Sequence, residues 1–255
     1  MARRVRPASP ESEPVPSLFR GVVGAMLEPM RQAYGQFCPV ALSSELLAER
    51  WTLLVVRELL AGARRFNDIR RGVPRISPTL LKNRLLNLEH AGVVTRARGD
   101  TLRGPDYQLT IAGEELRPVI VAIGQWGQRW ARDIRPGDLD PGWLIWGMHR
   151  RLHTEVMPPG RTVIEIEFID APKQRRFWLV HLAGRVDVCL KDPGFESTVR
   201  VVTRVRVLAE VWRGLRVLRD EMRAGRLQVQ GNTDARRAFA GWLRLSVFAP
   251  IKRAR

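Results

Sequence analysis

The stretch Ile76-Ser77-Pro78-Thr79-Leu80-Leu81-Lys82-Asn83-Arg84-Leu85-Leu86-Asn87-Leu88-Glu89-His90-Ala91-Gly92 carries its own start and stop signals. Ser77 can cap the first unpaired amides of a helix, and Pro78 stands where a missing N–H costs nothing. Gly92 supplies the left-handed residue that ends it. Leu81, Leu85 and Leu88 recur at i, i+4 and i+7 and make a buried stripe, while Thr79, Lys82 and Asn83 lie on the opposite side near the N-terminal end. A helix that packs by one face and is polar on the other fits the DNA major groove, where its N-terminal residues meet base edges. Ser77, Thr79, Lys82 and Asn83 are therefore candidates for base readout, and Arg84 for a phosphate.

The residues after Gly92 have the pattern of a two-stranded ribbon. Val93-Val94-Thr95-Arg96-Ala97-Arg98 and Tyr107-Gln108-Leu109-Thr110 are β-rich and flank the turn-rich segment 99–106. Arg96, Arg98 and Arg103 put permanent charge on or beside this ribbon, suited to lie along a phosphate backbone or enter a minor groove. The same arginines would also serve as a solvated edge that deters strand pairing. Helical segments before residue 76, the ribbon after it and an amphipathic helix through Trp130 complete the order of a winged helix-turn-helix.

Cys38-Pro39-Val40, Arg50-Trp51-Thr52-Leu53-Leu54-Val55-Val56-Arg57-Glu58-Leu59-Leu60, Gly62, Arg65-Phe66-Asn67-Asp68-Ile69, Ile76-Ser77-Pro78, Arg84-Leu85, Gly92-Val93-Val94, Tyr107-Gln108-Leu109-Thr110 and Trp126 together resemble the HxlR-type winged helix-turn-helix regulators, relatives of the MarR class. The likeness spans about 95 residues. It departs at Ala48-Glu49-Arg50, where the family commonly has a glycine and then a basic residue before the tryptophan, a difference that touches a turn. The resemblance implies a homodimeric transcriptional regulator on a two-fold symmetric operator, with Arg65 joining Arg84, Arg96, Arg98 and Arg103 as a phosphate or wing contact. It also implies that Cys38, at the Cys-Pro-Val position, is a candidate sensor of oxidants or electrophiles. The other reading of Cys38 is a small residue packed at the dimer base, because reactivity needs a lowered thiol pKa and exposure.

The dimer has support from spacing as well. After Thr110, a candidate N-cap, Leu116, Ile120, Ile123, Trp126 and Trp130 fall three and four residues apart, a seam that a lone winged helix has little core to cover. Pro118 is expected to kink this helix near its first turns. The competing expectation is that the seam packs on the second half of the same chain.

At 255 residues, two domains that each bury a core are expected. We divide the chain into a disordered leader over 1–37, Pro-rich in its first 17 residues; a DNA-binding and dimerisation domain over 38–135; a Pro-, Gly- and Asp-rich linker over 136–142; a second domain over 143–250; and a basic tail over 251–255. Because the family-like sequence begins at Cys38, translation from Met26 or Met30 is a further expectation. The net charge of +17 is spread along the chain, with excesses of 2, 6 and 9 positive charges over residues 1–37, 38–135 and 136–255. It favours a polyanionic partner without locating the site. Two cysteines in different halves suggest no disulfide framework and fit a reducing cytoplasm. No apolar run reaches the roughly 18 residues of a membrane span, and the N-terminus lacks the features of a signal peptide.

The second half alternates as an α+β domain. Helix-compatible Trp143–Leu152 is followed by strands over 162–169, with Ile164, Ile166 and Phe168 inward, then over 177–182, 185–190 and 198–203. Helices over 205–212 and 215–224, a strand over 226–230 and a last helix capped by Asn232 or Thr233 complete it. Val211-Trp212-Arg213-Gly214, Ala224-Gly225-Arg226-Leu227-Gln228-Val229-Gln230-Gly231 and the helix through Trp242 resemble the end of sterol carrier protein type 2-like domains. That resemblance implies a sheet covered by helices around an apolar tunnel for a lipid-like ligand. Phe168, Phe177, Phe239 and Trp242 are its candidate lining residues and equally candidate core.

The whole chain is thus expected to be α+β: a mostly helical winged helix-turn-helix domain with a two-stranded wing, then a sterol-carrier-like domain. A small apolar ligand in the second domain would bias the dimer helix and alter operator affinity. An enzyme is not expected, since the sequence holds no phosphate loop, nucleophile elbow, dinucleotide fingerprint or zinc spacing, and no cofactor is implied. His149 and His153 are four apart but have no nearby third ligand for a metal. The remaining rival is a lipid carrier whose winged helix serves only for dimerisation; it predicts that Lys82→Ala and Asn83→Ala are silent.

Overall fold

The computed structural model describes residues 33–97 and 104–254. Residues 1–32 of the expected leader over 1–37, the candidate wing residues Arg98 and Arg103, and Arg255 of the basic tail lie outside the described residues. The chain divides into two compact units at Glu45 and Leu46. In the first, residues 33–38 have no regular structure, and the Tyr34 amide donates to the Glu45 carboxylate at 3.0 Å. Helix α1 (Pro39–Leu47) begins here and has no buried residue.

In the second unit, α2 (Thr52–Leu60), α3 (Phe66–Gly72) and α4 (Pro78–His90) surround one apolar core. Val55, Val56, Ile69, Leu81, Leu85 and Leu88 are almost completely buried there, each contributing roughly 1.5–3 kcal/mol by leaving water. The departure from the family pattern before Trp51 falls in a strained turn. Trp51 itself takes φ 82°, a left-handed conformation that disfavours a side chain, with the Arg50 guanidinium over its ring at 4.9 Å. Strands β1 (Val94–Ala97) and β2 (Asp106–Leu109) pair antiparallel.

After the wing, the expected single kinked helix is two: α5 (Ile111–Glu114) and α6 (Arg117–Trp130). Thr110 caps the first, accepting from the Gly113 amide at 3.2 Å. Pro118 lies in the first turn of the second, where a residue without an N–H starts a helix instead of bending one.

The C-terminal half holds a five-stranded sheet in the order β5-β4-β3-β6-β7, built from β3 (Thr162–Phe168), β4 (Arg176–Leu182), β5 (Arg185–Cys189), β6 (Val199–Thr203) and β7 (Leu227–Gly231). Only β3 and β6 among these neighbours run parallel. Register aligns Ile164 with Leu179 and Val199, and Ile166 with Phe177 and Val201, so one face is continuously apolar. Helices α7 (Pro141–His149), α8 (Val205–Trp212) and α10 (Thr233–Trp242) cover that face, and short α9 (Leu218–Arg223) precedes β7. The opposite face carries a charge lattice: Arg200 and Arg176 each reach both Glu165 and Glu167. Helix α7 stops at His149, three residues before the expected end, so His153 is not on its surface. His153 instead lies 3.4 Å from Glu155, and among the described residues no three metal-ligating side chains cluster. The segment expected as a linker is ordered, with a turn of 3-10 helix over Pro136–Asp138 leading into α7.

Candidate nucleic-acid interface

Helix α4 is fixed by its apolar stripe and capped as its sequence dictates: the Ser77 hydroxyl accepts from the Leu80 amide at 3.2 Å, and Pro78 occupies the first turn. Gly92 takes φ 70° just beyond the end. At 13 residues it is roughly 20 Å long. Ser77, Thr79, Lys82 and Asn83 are all exposed at its N-terminal end. The structure therefore brings these four together on one surface.

Arg84 faces elsewhere. Its Nε donates to the Arg50 carbonyl at 3.0 Å, its Nη1 pairs with Glu49, and only 12% of its side chain is exposed. The guanidinium is held inside the domain, where it pins α4 to the turn before α2, and is not offered to a phosphate.

The wing is anchored on its inner side. The Tyr107 amide donates to the Arg64 carbonyl at 2.8 Å, and Arg65 bridges to Asp106 in strand fashion, so β2 is tied to the segment that starts α3. Tyr107 is buried, which pushes its phenol pKa up against the opposing pull of Arg96. Arg96 is half-exposed and stands 4.0 Å from Glu89 of α4. A shallow cleft lined by Thr79, Lys82, Glu89, Arg96, Pro105 and Tyr107 runs between α4 and the ribbon. Thus a row of donors and cations lies along one side of the domain, where a backbone phosphate and a base edge can be met together.

The expected seam splits. Leu116 and Ile120 pack against the core of the winged helix, whereas Ile123, Trp126 and Trp130 remain exposed, with Val119 and Val121 beside them. Another face of α6 meets the C-terminal half of the chain. Phe248 fills the space beside Gly124, and the Gln128 side chain exchanges hydrogen bonds with Arg213 at 2.7–3.1 Å. The helix thus packs on the second half of its own chain by one face and leaves an apolar stripe uncovered on another.

Cys38 is exposed, and hydrogen bonding from the Val40 and Ala41 backbone pulls its thiol pKa down. Cys189 is half-buried and shifted up by burial and Asp187. Phe168, Phe177, Phe239 and Trp242 are fully buried, with edge-to-face contacts between Phe168 and Phe177 and between Phe239 and Trp242. They form packed core, and none lines the cleft walled by Trp51, Trp143 and Trp212.

Sequence reasoning missed the junction between α2, α3 and α7. Glu58 is 4% exposed yet bonds Arg57 at 2.8 Å and Arg150 at 2.6 Å, and Arg57 also donates to the Gly72 carbonyl at 2.8 Å. Arg71 and Arg150 lie over the Trp146 ring, at 5.3 and 4.9 Å. The available signal is an acidic residue on the apolar side of α2, a place where a carboxylate persists only if paired.

Among the described residues, no helix is long and apolar enough to cross a membrane. The model of the HxlR-like helix-turn-helix family matches residues 46–135. The HTH-type transcriptional regulator YvaP of Bacillus subtilis (strain 168) is 37% identical over 97 residues, which are 38% of this chain and 87% of that protein. The HTH-type transcriptional regulator sll1512 of Synechocystis is 34% identical over 97 residues, 38% of this chain and 72% of that protein. The reduced form of the transcriptional regulator YodB from B. subtilis is 31% identical, covering 38% of this chain and 97% of its own, with a TM-score of 0.34. With its capped α4, its anchored wing and a match over most of the length of two such relatives, the chain belongs to the HxlR-like helix-turn-helix family.

Proposed function

We propose that this protein is a DNA-binding transcriptional regulator that acts as a homodimer on a two-fold symmetric operator. The observation that carries the reading is the exposed polar tip of α4, Ser77, Thr79, Lys82 and Asn83, on a helix immobilised by three buried leucines and flanked by a basic ribbon. Arg65 and Arg96 are the phosphate contacts among the described residues, and Arg98 and Arg103 are further candidates from the sequence. The exposed Ile123, Trp126 and Trp130 supply the apolar patch by which two chains pair. The winged helix is read as the domain over 38–135, and the segment over 143–250 as a sterol-carrier-like module that modulates DNA affinity without catalysis, in the cytoplasm where the DNA lies.

Selection of protein-bound duplexes from a random pool tests this directly. A regulator of this kind enriches an inverted repeat whose half-sites are about one helical turn apart, or a multiple of it. Enrichment of no motif, or of an asymmetric single site, counts against the dimeric reading. A carrier that used the winged helix only for pairing would enrich nothing.

One observation favours a second layer. Cys38 joins exposure to a lowered thiol pKa at the start of a helix, the setting in which thiolates react. Thiol-based control through Cys38 predicts that diamide releases the wild-type protein from DNA and leaves Cys38→Ser bound; equal release of both ends that reading.

A further inference from the structure

A cleft of about 560 Å³ among the described residues is lined by none of the residues of α4 or the wing. Its volume is that of a small-molecule site. Three indoles, Trp51, Trp143 and Trp212, stand in its wall with Leu54, Ile134 and Leu139. Trp143 and Trp212 already meet edge to face at 5.8 Å, a geometry that accepts another flat ring. The wall is drawn from both halves of the second unit, since Trp51 and Leu54 belong to the start of α2, and Trp143 and Trp212 to α7 and α8.

The charged groups of its wall are not all paired in contact. Asp138 is held by Arg132, Asp133 by Arg253, and Asp140 caps α7 through the Trp143 amide. Arg57 is paired with Glu58. By contrast, Arg75 donates only to the Gly137 carbonyl and Arg213 only to the neutral Gln128 amide oxygen. Neither has a carboxylate within 4.0 Å among the described residues. The Nε and Nη2 of Arg213 both donate to Gln128 Oε1. Asp133 and Glu210 attract Arg213 only from beyond ion-pair distance, and Arg253 repels it; a half-buried guanidinium with no carboxylate in contact, beside aromatic walls, suits an anion with a flat apolar body.

We propose that this cleft binds a small aromatic carboxylate, its ring against the indoles of Trp51, Trp143 and Trp212 and its carboxylate on Arg213, with Arg75 adding to the positive potential. The site is distinct from the DNA-reading surface and from the packed Phe168 core, and its occupancy bridges the winged helix and the C-terminal half. Binding is read without DNA, so its failure and the failure of the regulator reading are distinguishable.

Full-length protein is titrated by calorimetry with 2-naphthoate and with the uncharged 2-naphthalenemethanol. One 2-naphthoate per chain is expected. Arg213→Gln should weaken it by at least about tenfold, the effect of losing one charge-assisted hydrogen bond, and leave the alcohol within about twofold. Gln128→Ala removes the partner of Arg213 but keeps its charge, and should hold naphthoate affinity within about threefold; a loss as large as that of Arg213→Gln would mean a merely structural role. Ala209→Trp fills the cleft from α8 and Leu54→Trp fills it from α2, so that either one, checked for folding by circular dichroism, should abolish both ligands. The proposal is overturned if naphthoate shows no saturable binding, if the filled variants bind normally, or if the alcohol binds as tightly as the carboxylate.

Discussion

Glu58 illustrates how a single residue can link two parts of a chain. Its carboxylate is almost fully buried between Arg57 and Arg150, and it occupies the space a side chain at Gly72 would need. Glu58→Gln leaves two guanidiniums facing each other without the charge that holds them. Because both are partly exposed, we expect a loss of about 2–3 kcal/mol, below the cost of breaking a fully buried pair, read as a drop in the urea midpoint. Gly72→Ala should destabilise by about 1–3 kcal/mol for a different reason, overpacking. At the reading tip, Lys82→Ala and Asn83→Ala should each cost about 1–3 kcal/mol of operator discrimination in fluorescence anisotropy while leaving the melting temperature unchanged. His149 sets a pH dependence. Burial first and Arg150 second lower its pKa to about 4, so the folded state binds the proton less well than the unfolded chain, whose histidine titrates near 6.5. Its stabilising contribution is present above that value and is lost as pH falls toward about 4. Thermal melts at pH 7 and pH 4.5 should therefore differ less in His149→Gln than in wild type.

Among the helices and strands, what is legible in the sequence depends on whether local chemistry decides the outcome. Helix α4 and the Thr110 cap follow from side chains bonding amides three residues away, and the strands of the second half follow from alternation such as Ile164, Ile166 and Phe168. The split of α5 from α6 is harder to read, because Pro118 can either kink a helix or begin one, and only the packing of Leu116 and Ile120 decides between them. Arg84 resembles a phosphate contact in sequence because nothing local says that Glu49 lies within its reach. The cleft is invisible for the same reason: its indoles are separated by 92 and 69 positions and meet only through the packing of α2, α7 and α8. The exposed part of α6 yields its own prediction. Trp126→Asp, at 64% exposure, should leave the fold intact and shift the protein to monomer in sedimentation, since a charge at the centre of an apolar interface is left desolvated and unpaired. A persistent dimer would place the interface elsewhere.

Across the molecule, the reading surface and the C-terminal half are joined by a polar junction as well as by apolar packing. Glu58 with Arg150, Gln128 with Arg213, and Arg206 with the Ile134 carbonyl at 3.1 Å cross between the winged helix or its exit and the sheet domain. A ligand in the cleft shifts DNA affinity only to the extent that it binds the two arrangements unequally, and a coupling of about 1–3 kcal/mol is typical. Everything else rests on α4 reading sequence. The decisive experiment is binding of the full-length protein to the DNA upstream of its own gene and to a shuffled duplex across a salt series. We expect a preference for the upstream duplex of at least about 1,000-fold at physiological salt, lost in the Lys82→Ala, Asn83→Ala double variant. Equal binding to both duplexes, falling steeply with salt, would mean that α4 grips the backbone without reading the bases.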